Sequence, residues 1–317
     1  MANDLTGCHN SAMLRGSLLA AALLALLGFG SGAGHPRNGR IAFEHVGESG
    51  GGEIYAMTSH GTKRRLLTPD RRASSRSPAY SPRGRRIVFV RSFKQSDLWT
   101  MNADGTHKRR LTRTAAVDET DPAWSPDGKQ IVFAVTRPAS LQGIWVIGID
   151  GRHRRQLTNG ADGNPAWSPD GTKIAFERYD GTTQIFNLFV VPASGGTPSD
   201  LSTDPGISDL QPAWSPDGSR ILFTSDRPDT VALDLWTMDP DGSNVQRVMN
   251  TPSRDEHDAV WSPDGRWIAY VGESSSHGAS SYQLYVSRAN GSSRRIITHA
   301  CGDCAYVNDE PSWQPRP

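Results

Sequence analysis

Beyond residue 34 the apolar residues come in short runs of four to six, alternating or β-branched, and turn formers close each run. Lys173-Ile174-Ala175-Phe176, Asp97-Leu98-Trp99-Thr100-Met101 and Arg109-Arg110-Leu111-Thr112 show the pattern. Runs of this length and period read as strands, because alternate side chains then share one buried face. No segment keeps the 3.6-residue period of a helix, so the pattern predicts an all-β chain.

The runs recur in a fixed order. Trp124-Ser125-Pro126-Asp127-Gly128 returns at Trp167, Trp214 and Trp261, with a degraded copy at Tyr80 and a truncated one, Trp313-Gln314-Pro315, at the end. The aromatic residue recurs at intervals of 44, 43, 47, 47 and 52 residues, and a period of about 40–50 residues marks a propeller blade. Proline presets φ, aspartate bonds its own backbone and glycine takes the awkward last position, so Ser-Pro-Asp-Gly reads as a β-turn. Four strands per unit and six units predict a six-bladed β-propeller with four-stranded antiparallel blades. The first unit, residues 39–68, lacks its aromatic strand, and the orphan Glu310-Pro311-Ser312-Trp313 should supply it and close the ring.

Pro-Ala-Trp-Ser-Pro-Asp-Gly followed by a Lys/Arg-Ile-Ala/Val-Phe strand resembles the WD40-like repeat of the TolB-like propeller family, over essentially all of residues 39–317. The resemblance implies a propeller that binds partner proteins. It does not extend to the N-terminal α/β domain of full-length members, for which this sequence offers no room.

Composition changes the picture at the termini. Residues 18–27 form a run of ten Leu and Ala after Arg15, shorter than the ~20 residues of a membrane span, and Ser31 and Ala33 suit a peptidase site. Residues 1–33 are expected to be an export signal and residues 34–317 the propeller, placing the mature chain in the periplasm, cell envelope or outside the cell, with no membrane span. Cys301 and Cys304 are then an even pair in an oxidising compartment and read as a short-loop disulfide. A net charge of +1 offers no electrostatic case for nucleic acid. The paired arginines, such as Arg109-Arg110 and Arg154-Arg155, fall on outer strands, where charge guards against edge pairing. Gly47-Glu48-Ser49-Gly50-Gly51 matches a nucleophile-elbow pattern, but that motif needs a strand-to-helix turn that an all-β repeat does not offer.

Counting back from each aromatic gives the candidate site. The third residue before it is Ser77, Asp121, Asn164, Gln211, Asp258 or Glu310; the fifth is Ser75, Glu119, Asp162, Asp209, Glu256 or Asn308. All twelve are polar and seven are carboxylates. Both rows precede the innermost strand, so both are expected to ring one mouth of the channel, with His257 and Asp309 beside them. Such a ring suits Ca²⁺ or another divalent cation, or a basic or N-terminal segment of a protein or peptide. The plain alternative is that these residues cap turns and satisfy backbone groups. The reading is a monomeric, non-enzymatic binding propeller; the alternative is a metal-dependent hydrolase or lyase with a cation in the channel.

Overall fold

In this computed structural model, residues 37–316 are described apart from 48–50, 71, 228–231, 253, 277–278 and 299–306. The expected export signal and the Cys301–Cys304 pair lie outside the described residues, as does most of the Gly47–Gly51 motif.

The strands form six four-stranded antiparallel sheets, five of them in chain order from the axis outward. Blade 1 holds Arg37–Val46, Gly52–Thr58 and Arg65–Leu66. Blade 2 holds Ser74–Tyr80, Arg86–Ser92, Ser96–Asn102 and Arg109–Arg110. Blade 3 holds Asp118–Trp124, Gln130–Arg137, Gly143–Gly148 and Arg155–Gln156. Blade 4 holds Asp162–Trp167, Lys173–Asp180, Ile185–Pro192 and Ser199–Asp200. Blade 5 holds Asp209–Trp214, Ile221–Ser225, Asp234–Met238 and Gln246–Arg247. Blade 6 holds Asp255–Trp261, Trp267–Ser276, Ala279–Arg288 and Arg295–Ile296. Val307–Arg316 completes blade 1 from the other end of the chain, pairing Trp313 with Ile41 and Ser312 with Ala42. The ring closes as the orphan repeat requires.

Each motif residue has a mechanical task. Ser125 Oγ donates to Asp127 Oδ1 at 2.6 Å, Gly128 N–H returns to Ser125 O at 2.9 Å, and Gly128 sits at φ +72°. Hydrogen bonds from Ser168 and Thr172 hold the matching Asp170 down to about 2. In five blades a threonine or serine just after the outer strand caps the third strand: Thr112 Oγ1 accepts from Leu98 N–H at 2.9 Å, and Thr68, Thr158, Ser202 and Thr298 do the same in their blades. The outer strands are two residues long, so without that hydroxyl a buried N–H would lack a partner. Trp124 is 8% exposed, packs among Val88 and Val90 of blade 2 and Ile131 and Phe133 of blade 3, and donates Nε1–H to Ala79 O of blade 2 at 3.1 Å.

The arginines depart from expectation. Arg154 does not stand off as edge charge; it crosses over the Trp145 ring, 4.6 Å from the centroid, and reaches Glu119 at 3.1 Å. Arg294 repeats this with Glu256 at 3.0 Å, while Arg155 and Arg295 donate to Ala193 O and Ser59 O of the following blade. Outer edges are blunted by shortness; Arg155 and Arg295 tie seams together, while Arg154 and Arg294 neutralise buried glutamates of their own blades.

Two outcomes test this account. Trp124→Ala should lose about 3–5 kcal/mol of unfolding free energy in urea, the cost of emptying a large aromatic site. Deleting residues 310–317 removes the closing strand and should abolish the cooperative melt; unchanged melting would contradict closure.

Candidate cation-binding mouth of the central channel

Every inner strand carries one irregularity at the same place. Ser77, Asp121, Asn164, Gln211, Asp258 and Glu310 all have φ between +46° and +54°, a region few non-glycine residues occupy. The ladder slips there in all six blades, for example between Thr120 and Ala123 and between His257 and Val260. This is a β-bulge, and it breaks the alternation by which residues two apart share a face.

The bulge separates the two polar rows. The six left-handed residues turn to the axis and line a cavity of about 400 Å³, whose walls descend through a proline layer to Tyr80, Trp124, Trp167, Trp214, Trp261 and Trp313. Glu119, Asp162, Asp209 and Glu256 turn instead into the blade seams, where each is at most 3% exposed. There Glu119 meets Arg154, Asp162 meets Arg178 at 2.6 Å, Asp209 meets Ser225 at 2.5 Å and Arg227 at 3.2 Å, and Glu256 meets Arg294. Ser75 is likewise buried. The second row, expected at the mouth beside the first, therefore does not line its cavity: its carboxylates are buried against arginines of their own blades.

Rim side chains cap their neighbours head to tail. Glu310 accepts from the backbone N–H of Ser77 and, at 2.9 Å, from its hydroxyl. Asp121 Oδ2 lies 3.5 Å from Asn164 N, and Gln211 Oε1 accepts from Asp258 N–H at 3.0 Å. For Gln211 N–H the acceptor is Glu177 Oε2 at 2.8 Å, whose other oxygen accepts from Asn164 Nδ2 at 3.0 Å. The bulge frees these N–H groups from the ladder, so part of the rim's polarity is structural.

Glu177 and Glu44 escape a count made from the aromatic, because they belong to second strands. Their signal is a Phe-Glu pair, Phe43-Glu44 and Phe176-Glu177, where the other repeats read Phe89-Val90, Phe133-Ala134, Phe223-Thr224 and Tyr270-Val271. Both glutamates are buried.

Six carboxyl groups thus crowd one mouth, facing Arg76 and His257. Burial, with the charge of Asp258, pushes Glu44 up to about 7 despite its bond to Glu310 and the nearby Arg76. Glu177 rises to about 7 through burial and the charges of Asp121 and Asp258. Asp309 rises to about 8 through burial and its contact with Asp258. Burial and surrounding carboxylates also push Asp121 and Glu310 upward. Burial opposes the imidazolium of His257, yet Asp258, bonded to Nδ1 at 2.7 Å, and Asp309 hold it above the ordinary histidine range. A site that retains protons on its acids at neutral pH is short of positive charge. His257, Asp258 and Asp309 each offer one ligand atom, all within 4.8 Å of one another, a set suited to a divalent cation.

Fold and rim define a six-bladed propeller with an acidic channel mouth. Residues 35–158, 119–188 and 142–317 match the TolB beta propeller domain family, so the chain belongs to that family. TolB from Acinetobacter baumannii superposes with a TM-score of 0.73 at 20% identity, covering 88% of this chain and 67% of that one. Putative TolB from Agrobacterium tumefaciens gives 0.67 at 18% identity, covering 88% and 99%. A chain of the nidogen/laminin complex gives 0.68 at 10% identity, covering 87% and 98%. No curated protein sequence is significantly similar.

A carboxyl whose folded pKa is raised stabilises the fold below its unfolded value, and that stability is lost as pH rises through the folded value. Here the window runs from about 4.5 to about 7. Glu44→Gln should therefore be more stable than wild type at pH 8, by about 1–3 kcal/mol, with the gain shrinking at pH 5. Urea denaturation at the two pH values checks this, and a pH-independent difference would contradict it.

Proposed function

We propose that this chain is an exported, non-enzymatic binding propeller that receives a cationic group of a protein or peptide partner at the acidic mouth. The observation that carries the reading is the excess of carboxyl groups over bases at one end of an aromatic-floored channel. An ammonium or guanidinium group entering there would ionise Glu44, Glu177, Asp309 and Glu310 and gain their charge, while an aliphatic stem would lie along the proline and tryptophan walls. The cavity volume falls in the range of ligand sites. Export rests on the apolar run at residues 18–27, and no helix among the described residues is long and apolar enough to cross a membrane.

A second reading has its own observation. The His257, Asp258 and Asp309 atoms are close enough to share a divalent ion such as Ca²⁺ or Mn²⁺, which a hydrolase or lyase could use as a Lewis acid. The binding reading is preferred because the charge-deficient groups extend well beyond that triad, to Glu44, Asp121 and Glu177.

The two readings separate in one titration. A tetralysine peptide should raise the melting midpoint at low salt by mass action, and Asp258→Asn with Asp309→Asn should weaken its binding at least about tenfold, as loss of two charge-assisted bonds implies. Stabilisation by Ca²⁺ or Mn²⁺, reversed by EDTA, with no response to the peptide would overturn the proposal in favour of the metal site.

A further inference from the structure

The net charge of +1 conceals a division of the ring. Residues 35–158, which build blades 1–3 apart from the closing strand, hold 22 Lys and Arg against 11 Asp and Glu. Residues 159–317 hold 11 against 21. One half of the disc is basic and the other acidic. A separation of this size sets up a field across the molecule, and the overall balance says nothing about partners of either half.

Cavities at equivalent seams follow the division. Between blades 4 and 5, the open pocket on the turn side is lined by Lys173 with Asp200, Asp239 and Asp241. Between blades 2 and 3, a cavity of about 370 Å³ is lined by Arg109, Arg110, Arg113 and Arg154 with Thr112 and Thr114, and no carboxylate lines it. Two of its arginines are anchored from behind, Arg110 on Asp97 at 2.7 Å and Arg154 on Glu119. The other two, Arg109 and Arg113, are exposed, and neither guanidinium has a hydrogen-bond or ion-pair partner among the described residues. The contrast with the sister repeats is informative. At the position of Arg109, Arg155 and Arg295 spend their guanidinium groups on a carbonyl of the following blade, whereas Arg109 leaves its donors to the cavity. The excess charge is felt nearby: burial and the Arg109 guanidinium pull Arg86 below the ordinary arginine range. The Thr114 hydroxyl accepts from Arg154 at 2.7 Å and donates to Glu119 Oε1 at 3.4 Å, which fixes Arg154 at the back of the cavity.

The geometry points to this seam as a binding site for a phosphate-class oxyanion, with Arg109 and Arg113 as its donors and Arg110 and Arg154 completing the cradle. A tetrahedral dianion suits it better than a lone carboxylate, because several planar forks converge and phosphate offers oxygens enough to meet them. The basic half around the pocket would draw such anions in at low ionic strength. This site is remote in kind from the acidic mouth and does not depend on what the mouth binds.

The test is calorimetric titration of the purified protein with inorganic pyrophosphate at low salt, alongside sedimentation with phosphatidylcholine vesicles containing phosphatidylglycerol. Pyrophosphate should bind, and the double variant Arg109→Ala, Arg113→Ala should weaken it at least about tenfold while leaving the melting midpoint unchanged. Asp241→Ala, in the equivalent acidic seam, should leave binding as it was. Vesicle binding lost in the same double variant assigns the phosphate to a lipid headgroup; pyrophosphate binding without vesicle binding assigns it to a soluble phosphate ester. Failure of both probes, or full binding by the double variant, overturns the site. So does salt-sensitive self-association without anion binding, which would give the basic half to the acidic half of another copy.

Discussion

Ring closure by Val307–Arg316 is the constraint on which the mouth depends. A propeller closed by its last strand gains more than a sealed edge. Here that strand carries Asp309 and Glu310, and it delivers them between Asp258 of blade 6 and Ser77 of blade 2. Glu44, paired with Glu310, comes from the other end of the chain. Three of the six crowded carboxyl groups therefore meet the others only when the two ends of the chain have found each other. Fold stability and the electrostatic character of the channel are coupled through one segment.

A second constraint is the bulge. Six non-glycine residues held at positive φ store about 1–3 kcal/mol each, and the head-to-tail capping bonds around the rim offset part of that cost. The irregularity sorts acids by role. Those at the bulge face the axis and lack sufficient positive charge; those two residues earlier enter the seams and find arginines stacked on aromatic rings. The same residue types thus line the axis in one row and pair with arginines in the other.

Much of this was legible in the sequence. The repeat period, the Ser-Pro-Asp-Gly turns and the unpaired Trp313 strand specify the six blades and their closure, because each is a local pattern copied many times. The rim row was legible for the same reason, since the aromatic residue acts as a ruler. The fate of Glu119, Asp162, Asp209 and Glu256 was not, because strand alternation predicts a shared face and only the bulge undoes it. Glu44 and Glu177 were hidden because their place is in the second strand, where four of six repeats carry apolar residues or threonine. The roles of Arg154 and Arg109, identical in type but opposite in use, depend on which partner lies within reach across a seam.

The mouth is expected to hold more carboxyl groups than it can ionise at neutral pH. Carbon-detected NMR titration of the glutamate and aspartate carboxyls reads this directly. Glu44 and Glu177 should titrate near pH 7 and Asp309 near 8, far above the turn aspartate Asp170 near 2. Adding a cationic peptide should bring the mouth carboxyls down toward the ordinary range. Titration of all of them below about pH 5 in the free protein, at the unperturbed values of exposed acids, would contradict the account.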